Sequence, residues 1–242
     1  MNERKIAIFD LDGTLVDAHL WLGILKHHLK EKGNLFSLFW FLISHMALAP
    51  FWKMGLIPTK KYYQSWGRDL SKTMKGIKVD KAKEIFNWIT NEHLLPNLKK
   101  NVLARLKKHQ EEDFLTILTS GSFQDLVEII ANRLNIDFAI GTELDYYPPT
   151  TLQESHPSNP KKVIPAYYTG KIIPPFCFGQ GKAEKVKKFL SEKNLKINFK
   201  ESFAYSDSFF DLPILEMAGN PVVVEPDKKL LEIAKNKGWQ VI

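Results

Sequence analysis

The chain has 242 residues, 44% of them hydrophobic, a length and composition that suit one large domain or a core carrying a smaller insert. Its single Cys177 excludes an internal disulfide, its seven histidines form no HExxH pattern, and a structural zinc site is not expected. A net charge of +7 favours anionic partners without ranking metabolites, nucleic acid or lipid. The opening apolar run is too short for a secretory signal, so a cytoplasmic setting is expected.

Residues 4–9 read as a short buried strand that ends at Asp10. It runs into "DLDGTLVD", where Asp10 and Asp12 lie two residues apart although neighbouring carboxylates repel and are costly to desolvate. Such a stretch is either a solvated turn or a cation site with a nucleophile. Residues 16–95 are helical in pattern and hold five of the six tryptophans, which marks an inserted helical domain. The partition expected is therefore a catalytic core of residues 1–15 and 96–242 with a helical cap of residues 16–95.

Within the insert, residues 34–52 carry no charge and meet the length of a membrane-crossing segment. One crossing would put Asp10 and the later strand ends on opposite sides of a bilayer. Pro50 and Gly55 are expected to break the helix near its end. Two readings remain: a buried helix of a bundle, or an interfacial hairpin. Lys26, Lys30 and Lys32 before the run, with Lys53, Lys60 and Lys61 after it, would suit anionic headgroups.

Beyond the insert, helical and strand patterns alternate. A helix over 96–110 precedes "FLTILTS" (114–120), and another over 123–134 follows it. A basic amphipathic helix from Lys182 leads to "ESFAYSD" (201–207), and "LPILEMAG" leads to "NPVVVEP" (220–226). This alternation predicts an α/β fold with a doubly wound, mostly parallel sheet. The segment 148–175 holds seven of the thirteen prolines and reads as an extended loop or a long hairpin.

In such a sheet, ligands sit at the carboxyl ends of the strands. Asp10, Asp12 and Asp207 would supply oxygen ligands suited to Mg²⁺. Ser120, with the N–H groups of Gly121 and Ser122 placed at a helix start, suits phosphate oxygens. Lys182, behind Gly179 and Gly181, can neutralise both a phosphate and a carboxylate. Asp211, four residues after Asp207, is expected behind the site or on Lys182.

Taken together, "FDLDGTLVD", "LTSGS", Lys182 and "YSDSFFDLP" resemble the four motifs of the haloacid dehalogenase superfamily, closest to its phosphoserine-phosphatase-like branch. The resemblance covers the core segments, and the insert matches that branch in position only. It implies a Rossmann-like core and a Mg²⁺-dependent phosphomonoester hydrolase. Asp10 would be the nucleophile that forms an aspartyl-phosphate, and Asp12 the general acid and then base. Mg²⁺ would be held by Asp10, the Asp12 main-chain carbonyl and Asp207. Ser120, Gly121, Ser122 and Lys182 would bind phosphate, Ser120 and Lys182 also serving catalysis. The branch reads phosphoserine with a cap glutamate, which is missing here because the first in the insert is Glu31, and with an arginine, for which Arg68 could stand.

The expected partner is a small phosphorylated molecule or a lysolipid or lipid phosphate, with peripheral membrane contact through the cap as an option and no nucleic acid. The enzyme alternatives are a phosphomutase or a dedicated phosphoserine phosphatase. A membrane-surface binding module with a dead site is the non-enzyme alternative, and it has no need of Asp12.

Overall fold

A computed structural model describes residues 3–31, 35–152 and 162–242. In chain order the elements are β1 (Ile6–Asp10), α1 (Leu20–Lys30), α2 (Leu35–Lys53), α3 (Thr59–Ser71), α4 (Val79–Ile89), α5 (Lys100–Glu111), β2 (Leu115–Phe123) and α6 (Gln124–Arg133). There follow β3 (Phe138–Thr142), β4 (Leu144–Tyr147), β5 (Thr150–Leu152), β6 (Lys162–Ile164), β7 (Tyr167–Ile172), α7 (Gln180–Glu192), β8 (Phe203–Ser206), α8 (Leu212–Leu215), β9 (Asn220–Val223), α9 (Lys228–Lys237) and β10 (Gln240–Val241).

The central sheet has the order β10-β9-β8-β1-β2-β3, with every neighbouring pair parallel. Its strands alternate between two buried faces, as a sheet covered on both sides requires. Ala7, Phe9, Leu118, Tyr205 and Val222 face a core built with α5 and α6. Ile6, Ile8, Ile117, Ala204 and Val223 face a second core with α7, α8 and α9. On the first face Phe9 and Tyr205 stack at 4.4 Å between ring centroids, and Tyr205 shares a 2.7 Å hydrogen bond with buried His109. The fold is therefore the doubly wound α/β arrangement predicted from the sequence.

β1 sits at the middle of the sheet, so its carboxyl end lies beside those of β2 and β8. The chain leaves this edge after Val16 and returns at Leu98, where the two residues form an antiparallel bridge. Asp17 N–H donates to the Asn97 carbonyl at 2.9 Å, and Lys99 N–H to that of Leu15 at 3.0 Å. The helices between these points pack on one another and, through α4, on α6.

Three details differ from the sequence reading. β2 runs on through Ser120, Gly121 and Ser122 to Phe123, with a register shift against β3, so α6 starts at Gln124 and not at the Ser-Gly-Ser turn. α2 continues past Pro50 to Lys53. It is also not a buried bundle helix: among its residues only Leu38, Phe41 and His45 are fully buried. Where the proline-rich stretch is described, it pairs as two antiparallel ladders, β4 with β7 and β5 with β6, while residues 153–161 lie outside the described residues, as do Lys32 and Asn34 of the apolar run and its flank.

Candidate active site

Asp10, Asp12, Ser120, Ser122, Lys182, Asp207 and Asp211 converge at the carboxyl ends of β1, β2 and β8 and share one cavity of about 620 Å³. Asp10 is buried at the end of β1. Its Oδ1 accepts from Lys182 Nζ at 2.8 Å and its Oδ2 from the Thr14 hydroxyl at 3.2 Å. Lys182 stands in the first turn of α7 and also donates to Asp211 Oδ2 at 2.6 Å, which in turn accepts from Ser206 Oγ at 2.7 Å. Thr14 reaches across to Asp207 Oδ1, 3.0 Å away, and so lies between the Asp10 and Asp207 carboxylates.

Burial pushes the Asp10 carboxyl well above the usual carboxylate range; Lys182 draws it back only in part, and nearby Asp211 and Asp207 add to the rise. Burial also raises Asp207, aided by Asp211. Burial by itself would lower the Lys182 ammonium, but the Asp10 and Asp211 carboxylates outweigh that and hold it above its ordinary value. Gly13 is needed for the turn that brings Asp10 and Asp207 together. Its φ is +84°, and a Cβ there would run into the Asp207 carboxylate, whose Cγ would be only 2.8 Å away.

Asp12 lives in different surroundings. Its Oδ2 accepts from Ser120 Oγ at 3.1 Å and Ser122 Oγ at 2.9 Å, and its Oδ1 accepts from Leu20 N–H at the start of α1 at 3.0 Å. His19 Nδ1 is 3.9 Å from the same Oδ1. The Asp12 side chain is thus turned toward β2 and the helical layer. Ser122 N–H donates to Ser120 Oγ at 3.0 Å, a bond within the strand end rather than a helix-start amide aimed outward.

Among the described residues, no group of three or more His, Cys, Asp or Glu side chains is gathered as a metal cage. The local chemistry nevertheless fits a hard dication. Two desolvated carboxylates, Asp10 and Asp207, repel each other across one hydroxyl, and oxygen is their only donor type. A Mg²⁺ ion held by two carboxylates and a main-chain oxygen would keep the rest of its shell for water and phosphate.

The remaining wall is aromatic. Trp21, Trp52, Tyr62, Tyr63 and Trp66 come from the helical layer, while Phe176, Phe178 and Phe210 come from the core side. Gly67 also lines it, and Phe176 packs so close that a Cβ there would meet the ring. His19 is the single ionisable side chain besides the tyrosines that the helical layer gives to the wall, among the described residues. Arg68 is exposed and is not part of the lining. On α3 the rotation of about 100° per residue carries Arg68 off the wall that Gly67 joins. Thr14, His19 and the aromatic wall were not singled out from sequence. Tryptophan enrichment in the insert was the one available signal for the wall.

Residues 7–216 match the profile of the haloacid dehalogenase-like hydrolases, and the chain belongs to that family. It is 24% identical to a histidinol-phosphatase of Neisseria meningitidis serogroup C (strain 8013), over 99% of this chain and 98% of that protein. It is also 24% identical to the phosphoserine phosphatase SerB1 of Mycobacterium tuberculosis (strain ATCC 25618 / H37Rv), over 97% of this chain and 69% of the relative. Among solved structures, a Bordetella pertussis Tohama I protein of unknown function superposes with a TM-score of 0.79 at 22% identity, covering 100% and 99% of the two chains. A substrate-bound phosphoserine phosphatase gives 0.61 at 16% identity, covering 100% and 94%. The chain is thus a hydrolase, with relatives named as phosphatases, built on the phosphoserine-phosphatase-like fold.

Proposed function

We propose that this hydrolase is a Mg²⁺-dependent phosphomonoesterase that works through an aspartyl-phosphate on Asp10. The observation that carries the reading is the opposite treatment of two acids at one strand end. Asp10 is desolvated beside Lys182, whereas Asp12 is kept off that centre by three donors. An Asp10 carboxylate oxygen attacks phosphorus, the bond from phosphorus to the alcohol oxygen breaks, and Asp12 gives that oxygen its proton. Water then attacks the acyl phosphate while Asp12 takes a proton from it, releasing phosphate and restoring Asp10. Lys182 stabilises the phosphoryl oxygens, and the Ser120 hydroxyl, which donates to Asp12 here, turns to the phosphate when substrate arrives. Asp10, Asp207 and the Asp12 carbonyl would hold Mg²⁺, which when bound compensates the charge between the carboxylates and the phosphoryl group. Residues 16–95 form a cap domain over the core, in this reading.

The substrate is a small phosphate monoester whose alcohol carries a flat or apolar body. The aromatic wall supports this, as do the position of Arg68 outside the cavity and the lack of a cap glutamate in its lining. Histidinol phosphate, which the neisserial relative's name points to, offers a ring to such a wall and is the first compound to test; phosphoserine is the contrast. Phosphate release would be measured across both, with sugar phosphates, nucleotides and lysophospholipid phosphates alongside. The reading expects Asp10→Asn to abolish release and acid-stable labelling with phosphate to vanish with alkali. Turnover retained by Asp10→Asn would overturn the mechanism, and a preference for phosphoserine would overturn the substrate class.

A further inference from the structure

Helix α2 is apolar all round, yet only the stripe of Leu38, Phe41 and His45 is fully buried among the described residues. On the opposite side Phe36, Phe39, Trp40, Met46 and Phe51, with Met54 just past the helix end, are each 51–79% exposed. At about 100° per residue they fall within an arc of about 140°, along one face. At 1.5 Å per residue that face runs about 28 Å, and its open apolar area is on the order of 700 Å², more than a protein without a partner usually shows. Its charges have one sign. No acidic residue lies between Glu31 and Asp69, and the charged residues of that span are Lys32, Lys53, Lys60, Lys61 and Arg68. Lys53 at the end of α2 and Lys61 at the start of α3 are both exposed.

This charge pattern selects the occupant. A second copy docking by two-fold symmetry would set the basic rim against itself, and no carboxylate on the same segment could pair with it. An anionic bilayer satisfies both parts, with aromatic and aliphatic side chains at the acyl boundary and ammonium groups among the headgroups. Crossing is excluded by packing, because the covered stripe of α2 is fixed against α1 and α3. We propose that the exposed face of α2 is a docking surface on which this protein lies along an anionic membrane. Trp52, which lines the catalytic cavity, stands on the covered side of the same helix, so α2 lies between the cavity and the docking face. The inference stands independently of the phosphatase chemistry.

The test is flotation of the full chain with vesicles of phosphatidylcholine alone, and with about one third phosphatidylglycerol added, at low and moderate salt. The protein is expected to float with the anionic vesicles and not with the neutral ones. Lys53→Ala with Lys61→Ala should weaken binding about thirtyfold at low salt, at about a factor of five per lysine. Phe39→Ser with Trp40→Ser should release the protein at both salt levels. Both double variants lie outside the catalytic machinery and should keep the wild-type circular dichroism spectrum and hydrolysis of a soluble phosphate. The wild-type contrast between the two vesicle types tests the idea without any variant. Absence of binding to anionic vesicles would overturn it. So would self-association in vesicle-free buffer that the Phe39→Ser/Trp40→Ser pair abolishes, an outcome that assigns the face to a second copy.

Discussion

Replacing Asp207 by Asn separates the metal-site reading from a merely structural acidic cluster, because the two effects it should have carry opposite signs. In the metal-free protein Asp10 and Asp211 share one ammonium, Lys182, while Asp207 meets Asp10 only through the Thr14 hydroxyl. Asp207 is desolvated and raised by Asp211, so its charge costs stability in the absence of a cation. Asn removes that charge at nearly constant shape, and its carbonyl oxygen can still accept from Thr14. Metal-free Asp207→Asn should therefore melt no lower than wild type. Wild type, by contrast, should be stabilised by Mg²⁺ through mass action, by about 2.7 kcal/mol at a hundredfold excess over Kd. For a chain of 242 residues, about 2–4 °C per kcal/mol makes this a rise in Tm of about 5–11 °C. Scanning calorimetry in chelator and then in millimolar Mg²⁺ reads both quantities, with no substrate present. The reasoning fails if wild type shows no Mg²⁺ response, or if Asp207→Asn responds as strongly as wild type.

Other expectations follow from the same geometry. Asp12→Asn should still be labelled by a substrate with a good leaving group but release phosphate at least about a hundredfold more slowly, as rapid-quench kinetics would show. Gly13→Ala should lose the Mg²⁺-induced rise in Tm, because both its φ of +84° and the Asp207 carboxylate oppose a Cβ. In steady-state kinetics, Trp66→Ala should raise KM by roughly tenfold through lost apolar contact, while exposed Arg68→Ala should leave KM within about twofold. His109, buried and lowered to about 4 chiefly by desolvation, stays neutral in the folded protein where the unfolded chain takes up a proton. Stability should therefore fall as pH drops from about 6.5 toward 4, by at most about 3 kcal/mol from this residue. Stabilities from urea unfolding at pH 7 and pH 5 should converge by about 2 kcal/mol in His109→Phe, the part of this loss that falls in that window; an unchanged pH dependence would exclude His109 as its source.

How much of this was legible in the sequence depends on the range of the interactions concerned. The strands β1, β2, β8 and β9 stood out because a parallel strand buried on both faces is a continuous apolar run with a turn signal at its end. Asp10, Asp12, Ser120, Lys182 and Asp207 could be named because each lies at such an end or opens the next helix. Strand β3 was missed, since "FAIGT" is short and merges with polar neighbours. Thr14 was passed over because its second partner, Asp207, is 193 residues away, a contact that no local pattern encodes. The aromatic wall failed for a related reason. Trp21 and Trp66 recur at spacings that a core helix also shows, and only the packing of α1 against α3 and the sheet edge reveals which rings face the cavity. For α2, apolar side chains on every side left no pattern to separate the covered stripe from the open one.

The pair of acids in "DLDGT" is where sequence and structure meet most closely. Two residues of separation carry the second acid past the end of β1, into the turn that Gly13 N–H closes on the Val16 carbonyl at 2.9 Å. Asp10 therefore stays in the dry end of the sheet, where solvent cannot screen it and a cation must. Asp12 emerges where the end of β2 and the first helix of the insert can each send it donors, from Ser120, Ser122 and Leu20. A nucleophile needs the first setting, since a hydrated carboxylate attacks poorly, and a proton carrier needs the second, since it must hold charge off the centre it serves. Because one of the three donors belongs to α1, any movement of the helical layer away from the sheet removes an N–H from Asp12. Under the proposed mechanism, the acid assigned to proton exchange is thereby tied to the helical layer, while Asp10, whose partners Thr14 and Lys182 both lie outside that layer's helices, is not.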